Sequence, residues 1–282
     1  MTKKNSPLPA PVEMQERIRV LALELKLVHL AATLTETSSL LTNADPPEAL
    51  LERLLSEEVR VRRERRIERL IRASKLPERK LLSDFDFDFQ PSINKPLVQR
   101  LATMDFVRHG HGVIFGGSSG TGKSYMAKAI GLCGCVSGYN VRYTTAAAML
   151  THLHSGLADD TIDDKLKAYL QPDLLICDEL GFDRLEQETP RNAALFFKVM
   201  DGRYRRIAST IITTNIGFEA LGKYLGDPVA TTSIADRMLH HSVVLNIQGP
   251  SWRLKESEEL NRTTMQAAAD PEWQQADAAP TS

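Results

Sequence analysis

Apolar and polar positions along the chain follow two different rhythms. Over residues 12–37 apolar side chains recur at helical spacing, with Ile18, Leu21, Leu25 and Val28 on one face and Val20, Leu23, Leu27 and Leu30 widening it. That pattern predicts one long amphipathic helix. After a polar break over 38–45, Pro46-Pro47 opens a second predicted helix running through Leu51, Leu54, Leu55 and Val59 and ending near Pro77. Beyond Leu81 the rhythm changes: Phe85, Phe87 and Phe89 alternate with Asp84, Asp86 and Asp88. A period of two suggests an extended connector that lays its rings onto the following domain.

From there short β-branched or apolar runs alternate with helical stretches. The expected order is helix 97–107, strand 113–116, helix 123–136, strand 140–144, helices near 145–157 and 162–170, and strand 173–178. Helix 190–205, strand 209–214, helix 231–241 and strand 242–247 follow. Such alternation implies an α/β fold with a doubly wound parallel sheet. The predicted organisation is a mobile tail over 1–11, a small all-helical module over 12–80, the α/β domain over 81–260, and a polar, Ala-rich tail over 261–282 expected to be disordered.

The chemistry begins at Gly117-Ser118-Ser119-Gly120-Thr121-Gly122-Lys123-Ser124, which fits the pattern G-x-x-x-x-G-K-[ST] between a predicted strand and a predicted helix. Average residue usage gives a chance match in roughly one protein in a hundred of this length, so the motif is specific. Glycines let successive N–H groups converge on an anion, and the helix that follows adds its dipole. Lys123 is placed to reach β- and γ-phosphates and the Ser124 hydroxyl to hold Mg²⁺, with Tyr125 next along the same helix start.

Downstream, the apolar run 173–177 ends in Asp178-Glu179. A buried parallel strand that ends in two carboxylates suits Mg²⁺ binding by Asp178, directly or through water, and general-base work by Glu179. Asn215, at the tip of the predicted strand 209–214, would orient the attacking water; a turn or helix cap before Gly217 is the alternative. Arg237 is either an arginine finger reaching a neighbouring copy's nucleotide or an internal ion pair with Asp236. Arg253 is either a further phosphate contact or a residue packed on Trp252.

Composition narrows the class of protein. The chain has 282 residues with ordinary apolar and charged content and no run long enough to cross a bilayer. Its start has no signal-peptide core. Cys133, Cys135 and Cys177 fall in predicted helix and strand, as expected of buried free thiols in a reducing cytoplasm. The net charge of -1 conceals an asymmetry: residues 1–80 carry 16 Lys and Arg against 12 Asp and Glu, and the remainder 19 against 24. Between Arg60 and Lys80 the ratio is ten to three, concentrated in Arg60, Arg62, Arg63, Arg65, Arg66, Arg69 and Arg72. Such a helix suits phosphate contacts with duplex DNA without sequence preference. Its alternative is a solvated face stabilised by Glu–Arg pairs.

Several further stretches complete a resemblance. They are Arg-Arg-Glu-Arg-Arg at 62–66, Asp84-Phe85-Asp86-Phe87, Phe89-Gln90-Pro91, Gly226-Asp227-Pro228, Asp236-Arg237-Met238-Leu239-His240-His241 and Ser251-Trp252-Arg253-Leu254. With the phosphate loop and the Asp-Glu strand they resemble the IstB family of AAA+ ATPases, the transposition helpers of a group of bacterial insertion sequences, relatives of the DnaC helicase loaders. The departures are Ser118-Ser119, where prolines are often found, and Cys177 in an aliphatic slot. The resemblance implies ATP and Mg²⁺ as ligands, a homo-oligomer assembled on duplex DNA, DNA deformation, and stimulation of a partner transposase in the bacterial cytoplasm. ATP turnover would reset the assembly, and no membrane would be involved. A DnaC-like helicase loader is the alternative function.

Overall fold

The computed structural model describes residues 10–40, 46–182 and 190–268. The segments expected as tails at 1–9 and 269–282 lie outside the described residues. Two compact units divide between Arg69 and Leu70.

The first unit contains α1 (Pro11–Glu24), α2 (Val28–Ser39) and the larger part of α3 (Pro47–Ser74). The single helix expected over 12–37 is in fact two. Lys26 adopts a left-handed φ of 60°, and Leu27 N–H bonds back to Ala22 O at 2.7 Å. The turn is dictated by burial. It lets Ala22 of α1 meet Leu30, Ala31 and Leu34 of α2 and Leu54 of α3, which a straight rod would keep apart. The start of α2 lacks a cap of its own, and Glu58 of α3 supplies one by accepting from Leu30 N–H at 2.8 Å.

Among the described residues of the second unit, five strands pair throughout in parallel, in the order β2-β3-β4-β1-β5. They are β1 (Gly112–Gly117), β2 (Val141–Thr145), β3 (Leu174–Leu180), β4 (Ser209–Thr214) and β5 (Ser242–Ile247). Side chains of alternating parity serve opposite faces. Val113, Phe115, Leu174, Ile176 and Ile211 join one buried cluster, whereas Ile114, Leu175, Cys177 and Ile212 join the other. The helices that cover these faces make every central strand apolar on both sides, the reason their runs read as continuous rather than alternating. The doubly wound parallel sheet expected from the alternation is therefore present.

Helices of the second unit are α4 (Lys95–Ala102), α5 (Asp105–Arg108), α6 (Lys123–Val136), α7 (Ala146–Ala158), α8 (Ile162–Leu170) and α9 (Pro190–Arg205). They continue with α10 (Phe218–Leu225), α11 (Pro228–Leu239) and α12 (Trp252–Ala268). Four expectations need correction. The helix expected over 97–107 is split at Met104, left-handed at φ 64° with a wholly buried side chain. Helix α10 was not expected; its signal is the i,i+4 pair Leu221 and Leu225, both buried. Helix α12 continues through 261–268, which were assigned to a disordered tail. The connector over 81–96 is a 3-10 turn followed by further turns, not an extended strand, although its Asp84, Asp86 and Asp88 are exposed and its rings half-buried as the alternation requires. Among the described residues no helix is long and apolar enough to cross a membrane.

One buried charge organises the lower end of the sheet. Arg203, in the last turn of α9, is 1% exposed. Its guanidinium donates to Tyr169 O (2.8 Å), Pro172 O (3.0 Å), Asp173 O (3.3 Å), Thr210 Oγ1 (2.9 Å) and Ser209 O. Burial lowers its pKa to about 9. A planar fork fits five acceptors around the starts of β3 and β4; an ammonium cannot. Arg203→Lys is therefore expected to cost about 2–3 kcal/mol, because several carbonyls lose their donors. Thermal unfolding of the full chain measures this.

Candidate nucleotide site

The site forms at the C-terminal end of the sheet, where β1 passes through the glycine-rich loop into α6. Three loop glycines take left-handed backbone angles: Gly117 (φ 137°), Gly120 (φ 79°) and Gly122 (φ 95°). A Cβ on Gly117 would stand 2.0 Å from Ile247 O, a backbone atom of β5 that cannot step aside. Gly116, the residue before it, has open space around its Cβ position. The Lys123 ammonium donates to Gly117 O at 2.8 Å and Ser118 O at 2.6 Å, drawing the loop around it. Burial lowers the pKa of Lys123, opposed by Asp178 and reinforced by Arg253.

Asp178 ends the apolar run of β3 with no exposed surface at all. Its Oδ1 accepts from Ser124 Oγ at 2.8 Å, from the Glu179 N–H at 3.2 Å and from Thr213 Oγ1, while Oδ2 accepts from Tyr143 Oη at 2.7 Å. A buried carboxylate is tolerable only when its lone pairs are met in this way. Burial, the bond to Asp178 and that group's charge push the Tyr143 phenol pKa up, so the ring stays a donor. Ser124 spends its one proton on Asp178, which leaves oxygen lone pairs for the cleft. That donor set of a hydroxyl oxygen backed by a carboxylate fits a hard cation such as Mg²⁺.

Immediately after Asp178 the β3–β4 register slips between Cys177 and Leu180, and Glu179 takes a left-handed φ of 60°. Its N–H bonds Thr213 Oγ1 at 2.9 Å. A non-glycine residue held in this conformation stores backbone strain, and here the strain places a carboxylate on the cleft. Cys177, two residues before Glu179, is fully buried, and burial pushes its thiol up to about 12. It is inert filling, like buried Cys135.

The cleft itself holds about 510 Å³. Ser119, Gly120, Thr121, Gly122, Lys123, Ser124 and Tyr125 form its floor; Glu179, Thr213 and Asn215 form one side. Asn215 is exposed at the tip of β4. The opposite wall comes from the connector and the start of α12. Phe89 meets Trp252 edge to face with ring centroids 5.0 Å apart, and the Lys255 ammonium lies 4.5 Å from the Trp252 ring. Trp252 N–H donates to Gly120 O at 3.0 Å, so α12 is tied to the phosphate loop, and Arg253 also lines the cleft. Lys80 and Lys128 line it too.

The remaining candidates lie elsewhere. Arg237 is held by Asp201 (Nε to Oδ1, 2.8 Å) and by Ser233 O (3.0 Å), with Phe197 under the guanidinium at 4.8 Å. Its partner is Asp201 of α9 rather than the adjacent Asp236, and it lines a separate cavity at the starts of β1, β4 and β5. On α3, Arg60 pairs with Glu57 (2.7 Å) and Glu64 (2.8 Å), and Arg62 with Glu58 (2.7 Å). Of the seven arginines, Arg60 and Arg62 thus find carboxylates, partly from Glu57 and Glu58 one turn upstream. Arg63, Arg65, Arg66, Arg69 and Arg72 are exposed. Tyr143, Thr213 and the Phe89–Trp252 wall went unnoticed in the sequence. Thr213 alone carried a signal, two residues before Asn215 on the same strand.

Residues 20–260 match the family described as IstB-like ATP binding protein. The chain is 36% identical over 204 residues to the ATP-binding protein of insertion sequence IS5376 from Geobacillus stearothermophilus, covering 72% of this chain and 80% of that one. It is 35% identical over 243 residues to the ATP-binding protein of insertion sequence IS21 from Pseudomonas aeruginosa, covering 85% and 89%. Among solved structures, a DnaC helicase loader aligns over 64% of this chain and 99% of its own, at 22% identity and a TM-score of 0.47. AMPPCP-bound DnaA from Aquifex aeolicus aligns over 64% and 55%, at 21% identity and a TM-score of 0.49.

The loop geometry separates two neighbouring glycines. Gly117→Ala is expected to weaken binding of a fluorescent ATP analogue by roughly tenfold or more, since left-handed strain and the Ile247 carbonyl both oppose it. Gly116→Ala should leave that affinity within about twofold.

Proposed function

This chain belongs to the family of IstB-like ATP-binding proteins, and on that footing we propose that it hydrolyses ATP to control its own assembly on duplex DNA as a transposition helper. The observation that carries the reading is the junction of the phosphate loop with the Asp178–Ser124 pair and the strained Glu179 on one cleft. Loop amides and Lys123 bind the β- and γ-phosphates. Ser124, backed by Asp178, would hold Mg²⁺, which would screen the phosphate charge. Glu179 accepts a proton from the attacking water as its oxygen bonds to the γ-phosphorus and the bond to the β–γ bridging oxygen breaks, releasing ADP and phosphate. Asn215 orients that water, and Arg253 adds a positive charge on the opposite wall. The aromatic wall of Phe89 and Trp252 suits the base.

Arg237 acts on a different copy. Asp201 and the Ser233 carbonyl fix its guanidinium, and its place outside the cleft of its own chain suits delivery to a neighbour's nucleotide. Assembly then depends on bound ATP, which aligns many copies of α3 along one duplex. Arg63, Arg65, Arg66, Arg69 and Arg72 each contribute weak phosphate contacts that add up across the oligomer. The helical module ending near residue 80 is read as the DNA-binding part and 81–260 as the ATPase. The partner is a transposase, in keeping with the insertion-sequence relatives, and the compartment is the bacterial cytoplasm.

Glu179→Gln should lower turnover by at least a hundredfold while leaving ATP affinity within a few-fold, the signature of a lost general base. Duplex DNA should raise both turnover and self-association of the unaltered chain. Replacing Arg63, Arg65 and Arg66 together by Ala should reduce the salt dependence of DNA retention by roughly one unit of log–log slope per lost phosphate contact. Turnover indifferent to DNA, with retention unchanged in the triple variant, sinks the DNA half of the proposal.

A further inference from the structure

Strand β2 sends one long side chain toward the nucleotide site from behind. Tyr143 pairs in register with Ile176, and Asp178 lies two residues further along β3 on the same face. That diagonal is about 7–8 Å between backbones. It is too far for serine or threonine, but the phenol spans it and places its hydroxyl 2.7 Å from Asp178 Oδ2. Tyr143 is half-buried and does not line the cleft. The Lys128 ammonium of α6 lies 5.9 Å from its ring centroid and forms an ion pair with Glu78 at 3.5 Å.

We propose that Tyr143 is a positioning residue for the Mg²⁺ side of the nucleotide site, acting through Asp178 on Ser124. The inference rests on the ATP-hydrolysing reading above. The physical case concerns rotation. The Asp178 carboxylate is gripped on Oδ1 by Ser124, Thr213 and the Glu179 amide, and on Oδ2 by Tyr143. Donors on opposite oxygens fix the carboxylate plane, and that plane decides where Ser124 sends its proton. With the proton directed at Oδ1, the lone pairs of Ser124 face the cleft. Without the phenol, Oδ2 is buried without that donor, and the carboxylate turns to find another. Ser124 then loses its fixed acceptor, and its lone pairs lose their aim. Outer partners of metal ligands commonly act in this way.

The test compares Tyr143→Phe with Tyr169→Phe in the full chain. Tyr169 is a buried phenol of α8 bonded to His152 Nδ1 at 2.9 Å and is not part of the site. A fluorescent non-hydrolysable ATP analogue is titrated at graded free Mg²⁺, with thermal unfolding and Mg²⁺-free affinity as checks on folding. For Tyr143→Phe the expected result is unchanged Mg²⁺-free affinity and a half-saturating Mg²⁺ concentration raised roughly tenfold. In turnover, kcat should fall with KM nearly constant at saturating Mg²⁺. A folded Tyr143→Phe with the Mg²⁺ response of the unaltered chain overturns the inference, as does an equal shift in Tyr169→Phe. If the unaltered chain itself shows no Mg²⁺-dependent binding, the ATP reading falls and this inference with it. The two failures are therefore distinguishable.

Discussion

A carboxylate sealed from water at the tip of a central strand is among the costliest groups a fold can bury, and Asp178 is tolerated because three elements each lend it a hydroxyl. Ser124 comes from the start of α6, Tyr143 from β2 and Thr213 from β4. None of these partners is close to Asp178 in sequence. They converge only when β2, β3 and β4 are adjacent in the sheet and α6 begins directly above them. The cost of leaving a buried charge unpaired thus enforces the strand order at the place where the chemistry happens. The same carboxylate binds stability and function together, since the groups that make its burial tolerable are those that aim the cleft.

Around this point the sheet divides its labour between its two ends. At the upper end, glycine angles, a register slip and a left-handed Glu179 are local departures from regular structure, and each leaves a polar group facing the cleft. At the lower end, Arg203 gathers carbonyls that regular ladders leave over where the strands begin. Left-handed backbone is not confined to the cleft: Ile207 and His241 adopt it in the turns that lead into β4 and β5.

Much of this is legible in the sequence. Helix α6, helix α9 and strands β4 and β5 fall at the predicted residues because their patterns are long or strongly β-branched and their ends carry clear signals. The phosphate loop and the Asp178-Glu179 pair were legible because the chemistry fixes both residue type and spacing. What escaped depends on tertiary context. The turn at Lys26 has neither Gly nor Pro and exists because Ala22 must meet Leu30 and Leu34. The break at Met104 is equally silent, a left-handed angle compensated by a fully buried side chain. Tyr143 looked like any strand aromatic, since nothing in β2 reveals a carboxylate 35 residues away. For Arg237 the ion-pair alternative named its neighbour Asp236, but i,i+1 residues of a helix point apart, and the partner comes from α9.

The hydrogen bond from the Trp252 amide to the Gly120 carbonyl carries a mechanical implication. It joins the first turn of α12 to the middle of the phosphate loop, and Ser251 fills the space where a Gly120 side chain would stand. A force that swings α12 must either drag the loop with it or break that link. Linkage works in both directions: whatever grips α12 tunes how tightly phosphate is held, and a seated phosphate stiffens the helix for whatever grips it.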